Sequence, residues 1–163
     1  MPKTQKKRKQ ERKTSYKKRF GMLKSEKARI VIRKTNKYLT VQYVESHEAQ
    51  DKVIFGVSSK DLLKHGWPKE LEGSLKSLSA GYLTGYLFGK SAVAKKVEVG
   101  IIDIGLQRNI HKGRIYSVVK GIVDAGFDVP HSENVFPSQD RIEGKHLKEP
   151  VMKAFEQVKE KLK

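Results

Sequence analysis

Three observations predict a single α/β domain with a mixed sheet, preceded by a basic arm and followed by a C-terminal helix. Fourteen of the seventeen net positive charges fall in residues 1–37, where sixteen Lys and Arg meet only Glu11 and Glu26. Apolar residues then alternate with period two between residues 29 and 57, and helical 3.6-residue stripes take over from residue 75. Setting aside a polar stretch of about 25 residues, the rest of the 163-residue chain is long enough for one hydrophobic core. The organisation read from this is an arm over 1–25, an α/β domain over 26–145 and a C-terminal helix over 146–163.

Residues 2–19 offer no apolar side chain before Tyr16, so no face of the arm can be buried, and in isolation it is expected to be disordered. From 16 to 23 the arm is read as turning helical, with Phe20 and Leu23 facing inward. Ile30 and Ile32 alternate with Arg29, Val31 and Arg33. After a turn at 35–37, residues 38–44 alternate in the same way, which makes a β-hairpin. A polar loop over 45–52 leads to a third strand at 53–57. Ser58 and Ser59 stop that strand and cap a short helix near Lys60. Trp67, in a loop ending at Pro68, is read as a packing residue.

Leu75, Leu78, Tyr82 and Tyr86 mark an apolar helical stripe ending near Lys90. Gly81, Gly85 and Gly89, four residues apart on that helix, are expected to let it approach the sheet closely. Residues 97–102 read as a buried parallel strand reached by a crossover. Ile115, Val118, Val119 and Ile122 place a helix over 114–125, which Gly126 terminates. Phe127 and Val129 suggest a short strand. Pro150 opens a last helix with Val151, Phe155, Val158 and Leu162 on one face and Glu149 one turn before Lys153. The order is similar to the ribonuclease H-like arrangement: a three-strand antiparallel meander, then helix, strand and helix.

That arrangement raises the question of catalysis, and the residues answer against it. A two-metal nuclease needs clustered carboxylates, the first of them on the first strand. Here that strand is ARIVIRK, whose Arg29 and Arg33 would repel the metal ions. Asp103 ends a strand, but Asp124, Asp128 and Glu133 fix no cluster around it. There is no Walker loop, no G-x-S-x-G elbow and no cysteine, so nucleophile, disulfide and thiolate-metal chemistry are all without a candidate. His47, His65, His111, His131 and His146 lack metal-ligand spacing. No cofactor is expected. The longest uncharged run, residues 77–89, is thirteen residues, short of the roughly 20 that cross a bilayer. A reducing, cytoplasmic setting and no membrane partner are expected.

A nearly neutral body with a basic arm is the footprint of a nucleic-acid-binding protein. Three basic features could share one surface. The arm supplies Lys6, Lys7, Arg8, Lys9, Arg12, Lys13, Lys17, Lys18 and Arg19, with Tyr16 as a stacking surface. The hairpin supplies Arg29, Arg33, Lys34, Asn36 and Lys37 with Tyr38 near the turn. The loop 104–114 supplies Arg108, Lys112, Gly113 and Arg114 at a helix N-terminus, where backbone amides favour phosphate. The run Lys6-Lys7-Arg8-Lys9 also passes as a targeting patch or a solvated tail, against which Tyr16 and Phe20 argue, and the loop reads equally as an ordinary surface connection.

The spans RIVIRKTNKYLTVQ (29–42), DLLKHGWPK, AGYLTGYLFGK and DIGLQRNIHKGRIYSVVKGIVDAGFDVPH (103–131) resemble, in this order, the large-subunit ribosomal protein eighteen family in its archaeal and eukaryotic-like form. The likeness covers most of residues 15–147. It implies a structural component of the large ribosomal subunit that binds 5S ribosomal RNA, helps attach it to large-subunit ribosomal RNA in the central protuberance, and touches neighbouring ribosomal proteins there. It places the RNA-facing positions in the arm through Arg19, the hairpin from Arg33 to Tyr38, Ser58, Ser59 and Lys60, and the loop at Lys112, Gly113 and Arg114. The alternative is a nucleic-acid-binding module outside the ribosome, and a metal-dependent nuclease is the more distant rival.

Overall fold

The computed structural model describes residues 4, 6–48, 50–147 and 149–162. The start of the expected arm (1–3 and 5) and Lys148 and Lys163 of the expected C-terminal segment lie outside the described residues. One four-stranded mixed sheet organises the chain, in the order β3-β2-β1-β4. Its strands are β1 (Arg29–Lys34), β2 (Leu39–His47), β3 (Gln50–Ser58) and β4 (Ile101–Asp103). β1 pairs antiparallel with β2 and parallel with β4, so the first strand is central, as a ribonuclease H-like arrangement requires. The helices are α1 (Lys7–Gln10), α2 (Tyr16–Leu23), α3 (Leu78–Ala94), α4 (Arg114–Asp124), α5 (Gln139–Glu143) and α6 (Glu149–Leu162).

Alternation in β1 and β2 does what it predicts. Ile30, Ile32, Leu39, Val41 and Tyr43 leave one face of the sheet fully buried, against Phe88 and Ala92 of α3 and Val118, Val119 and Ile122 of α4. A second core lies on the other side of α3, where Leu62, Trp67, Leu75 and Leu83 meet Ile142, Phe155 and Val158. Each such aliphatic or aromatic side chain contributes about 1.5–3 kcal/mol by leaving water. Trp67 is a packing residue, its indole Nε1 donating to the Leu71 carbonyl at 3.2 Å. Ser77 caps α3 by accepting from the Ala80 amide. α6 is an integral part of this second core, and Glu149 reaches Lys153 at 3.8 Å.

Five expectations need correction. The polar loop 45–52 is mostly strand: β2 runs on to His47 and β3 begins at Gln50, because cross-strand pairing continues past the last apolar position. The strand expected at 97–102 is confined to Ile101–Asp103, the three residues of this segment that pair with β1, and Gly100, packed on the Ala28 carbonyl, precedes them. Phe127 and Val129 form no strand. They are buried in the first core, and the Phe127 amide turns back to the Ile122 carbonyl rather than joining a ladder.

The α3 glycines face α4 more than the sheet. A Cβ on Gly85 would overlap the Val118 carbonyl, one on Gly89 would press on Ile122 and Ala125, and Gly121 of α4 meets the Tyr82 carbonyl in return. Finally, Phe20 is 71% exposed rather than inward. Its neighbour Arg19 takes the domain-facing direction, and adjacent residues on a helix cannot share a face. Leu23, also expected inward, is half-buried.

Candidate nucleic-acid interface

Each basic segment is held in place by a local device. In the hairpin, Thr35 closes the turn: its hydroxyl donates to the Tyr38 carbonyl and accepts from the Tyr38 amide, both at 2.9 Å. Lys34, Asn36 and Lys37 are left exposed at the tip. Tyr38 is half-buried against the second core. Its hydroxyl donates to Glu72 at 2.8 Å, and the Lys60 ammonium sits 4.6 Å from the ring centroid. The hydrogen bond to Glu72, then burial and the Glu72 charge, raise the phenol above its ordinary pKa. One ring face of Tyr38 is therefore already taken by Lys60.

Ser58 and Ser59 divide their work. Ser58 forms a capping box, accepting from the Lys60 amide while its own amide donates to Asp61. Ser59 is fully buried, and its hydroxyl accepts from the Leu39 amide at 3.1 Å. It belongs to the core, and its hydroxyl is not displayed to a ligand. Lys60 is exposed.

The loop between β4 and α4 is built at its two ends. Gly105 adopts φ +62°, its amide donates to Asp103 Oδ1 at 2.7 Å, and the Arg33 guanidinium packs where a Cβ would stand. Lys112 is left-handed at φ +59° and donates its amide to the Val135 carbonyl. Arg108, Lys112 and Arg114 are exposed, and Gly113 opens α4 with no side chain capping the first amides. Tyr116 donates to Asn109 at 2.5 Å, which ties the loop to the first turn of α4.

In the arm, α1 carries no buried residue, and Lys6, Lys7, Arg8, Lys9, Arg12, Lys13, Lys17 and Lys18 are all exposed. Tyr16 is half-buried with Lys6 over its ring at 4.7 Å, and Arg8 Nε donates to Thr14 Oγ1 at 3.0 Å. Arg19 docks the arm on the sheet through Asp51 at 2.9 Å.

Asp51 opens a charge ladder that the sequence reading did not foresee. It accepts from Arg29 at 2.6 Å, Arg29 reaches Asp103 at 3.0 Å, and Asp103 is shared with Arg33 at 3.3 Å. Arg29 is only 2% exposed, so it is an internal strut and not part of the hairpin tip where the sequence reading grouped it. Arg33 also donates to the carbonyls of Ile32 and Asp103, which makes it half strut, half surface. Partial burial pushes the Asp51 carboxyl up, but hydrogen bonds from Ser46, Arg29 and Arg19 together hold it below its ordinary value. The one signal in the sequence was an acid, Asp51, within the paired polar stretch.

Of the expected set, Arg8, Lys13, Lys18, Arg19 and Arg33 meet around one cavity, while the hairpin tip, Lys60 and the loop cations Arg108, Lys112 and Arg114 do not line it. Arg33 lies between the hairpin and Gly105, and Arg8, Lys13, Lys18 and Arg19 of the arm line the same cavity as Arg33 and Gly105. The start of α4 lies near the hairpin turn, because Gly81 packs on both the Arg114 carbonyl and Leu39. The acid that a nuclease would use, Asp103, is 4% exposed and neutralised by two arginines. Among the described residues no cluster of His, Asp and Glu could hold a metal ion, and no helix is long and apolar enough to cross a membrane.

The family model described as ribosomal large subunit proteins 60S L5 and 50S L18 matches residues 2–100. The chain belongs to this family. Curated relatives carry the name large ribosomal subunit protein uL18. The protein of Korarchaeum cryptofilum is 44% identical over 140 residues, which cover 86% of this chain and 70% of the relative. That of Methanococcoides burtonii is 39% identical over 160 residues, 95% of this chain and 90% of the relative. That of Methanothrix thermoacetophila is 40% identical over 159 residues, 95% and 92% respectively. The resemblance read from the sequence therefore holds. Members of the uL18 family are structural ribosomal proteins and not enzymes, in keeping with a buried Asp103 committed to arginines.

Proposed function

We propose that this chain is a structural constituent of the large ribosomal subunit in the cytoplasm, where it binds 5S ribosomal RNA and helps attach it to large-subunit ribosomal RNA in the central protuberance beside neighbouring ribosomal proteins. The observation that carries the reading is the cavity that the basic arm shares with Arg33 of β1 and with Gly105 and Leu106 of the β4–α4 loop, in a chain of the uL18 family. Exposed lysines of α1 and α2, the tip residues Lys34, Asn36 and Lys37, and Lys60, Arg108, Lys112 and Arg114 neutralise phosphates and release counterions. These contacts position the RNA without reading sequence. Selectivity comes from RNA shape and from unpaired bases stacked on exposed rings such as Phe20.

The test is a competition between a 5S transcript and an unrelated RNA duplex of equal length, at 150 mM salt. Preference for the 5S transcript by tenfold or more is expected. Equal affinity for both would replace this reading with the non-ribosomal nucleic-acid-binding module.

A further inference from the structure

We propose that the cavity between the arm and the β1–β4 edge is a phosphate-binding site: the arginines that line it outnumber the carboxylates facing them, and one of these arginines, Arg29, has a buried Nε–H without an acceptor among the described residues. The cavity measures about 130 Å³. A single ordered water needs only ~10–15 Å³, so there is room for a larger guest. One wall is the arm, with Arg8, Lys13, Lys18 and Arg19, and the other is the sheet, with Arg29 and Arg33.

The charges do not balance. Asp51 Oδ1 accepts from Arg29 and Ser46 and Oδ2 from Arg19, while Asp103 Oδ2 accepts from Arg29 and Oδ1 from Arg33 and the Gly105 amide. All four carboxylate oxygens are therefore committed. Among the described residues, three guanidiniums share these two carboxylates, beside a residue 2% exposed. Lys13 has Glu11 at 2.9 Å, and Arg8 and Lys18 add further positive charge at the rim. Arg29 Nε is buried with no hydrogen-bond partner among the described residues. A buried polar N–H without an acceptor, on a group whose charge is not fully compensated, is costly.

Of the remaining lining residues, Met22 and Leu106 are apolar, and Thr14 and Ser15 add donors. Thr14 Oγ1 accepts from Arg8, which leaves its hydroxyl proton to give, and Ser15 adds a second hydroxyl. A lining rich in donors and with no free carboxylate selects an anion. Phosphate, with several strong acceptor oxygens, can be held from the arm side and the sheet side at once, in charge-assisted hydrogen bonds. Its binding would clamp the arm to the domain. The phosphate is either a backbone group of bound RNA, in which case the proposal rests on the function proposed above, or free inorganic phosphate, in which case it does not.

The test uses the full chain and the K13Q/K18Q double variant, whose altered side chains are exposed. Thermal unfolding is followed in sodium phosphate and in sodium chloride of matched ionic strength, with ³¹P line broadening as a second readout. Phosphate should raise the unfolding midpoint of the parent chain beyond chloride and broaden its ³¹P signal, and the double variant should lose most of both effects. No phosphate-specific increment, or the same increment in both proteins, would overturn the proposal. A 5S transcript then separates the sources. Phosphate that weakens RNA binding more than chloride does, in the parent chain only, marks the cavity as a seat for an RNA phosphate. A retained thermal increment without such competition marks it as a seat for the free ion. RNA binding that persists with no phosphate increment removes the cavity site and leaves the proposed function standing.

Discussion

Deleting residues 1–13 should remove a large share of the salt dependence from RNA binding while leaving the domain folded. The deletion removes six exposed cations among the described residues, Lys6, Lys7, Arg8, Lys9, Arg12 and Lys13, and stops short of Arg19 and its bridge to Asp51. At about 0.9 per neutralised phosphate, six contacts make a slope difference of about 5 in log Kd against log salt. Between 50 and 200 mM that amounts to a difference of roughly 10³ in how much affinity each protein loses. Because no residue of α1 is buried, the unfolding midpoint should move by less than about 3 °C. The assay is filter binding or fluorescence anisotropy with a labelled 5S transcript at five or more salt concentrations. Parallel lines for the full chain and the deletion would refute the assignment of these cations to RNA phosphate.

Three further outcomes follow from the internal contacts. Asp103→Asn leaves the buried Arg29 with less negative charge to meet, so urea unfolding should show a loss of about 3–5 kcal/mol, and a loss under 1 kcal/mol would mean the ladder is not load-sharing. Asp51, held below its ordinary pKa in the folded chain, contributes stability that is present above its unfolded value near 3.9 and is lost as pH falls through the lower folded value. The difference in unfolding free energy between the parent chain and Asp51→Asn should therefore be constant from pH 7 to 5 and shrink below about pH 4. Gly85→Ala gains about 1 kcal/mol of helix propensity, yet the added methyl overlaps the Val118 carbonyl, so a net loss of roughly 1–3 kcal/mol is expected in the same assay.

Legibility followed how local the determinant was. The β-meander, the α4 stop at Gly126 and the α6 face are fixed by periodicity and by one glycine in the left-handed region, φ +88° at Gly126, and these were readable. Phe127 and Val129 were readable as buried but not as unpaired, because alternation reports burial, and a ladder needs a partner strand whose position is a tertiary fact. The α3 glycines announced a close approach without naming what approaches, and α4 lies 30 residues on. Phe20 was misread because hydrophobicity outranked the electrostatic anchor beside it. Of the site, the exposed lysines and the hairpin tip were legible from charge and turn chemistry. The burial of Arg29 and Ser59 was not, since each depends on partners 17 to 74 positions away.

Those buried partners change what the net charge of +17 means for binding. Arg19, Arg29 and Arg33 are the arginines best placed between arm and sheet, and all three spend guanidinium donors on Asp51 or Asp103. What the arm shows to solvent is mostly lysine: Lys6, Lys7, Lys9, Lys13, Lys17 and Lys18 against Arg8 and Arg12. A lysine ammonium is a point charge on a flexible stem, tolerant of where a phosphate sits, whereas a guanidinium fork demands a bidentate geometry. The chain thus keeps its geometrically demanding cations for holding its own architecture and turns its tolerant ones outward. An RNA grip made that way is strong in total and undemanding at each contact, so the discrimination between RNAs has to come from the rigid parts: the closed hairpin turn, the tied β4–α4 loop and the exposed ring of Phe20.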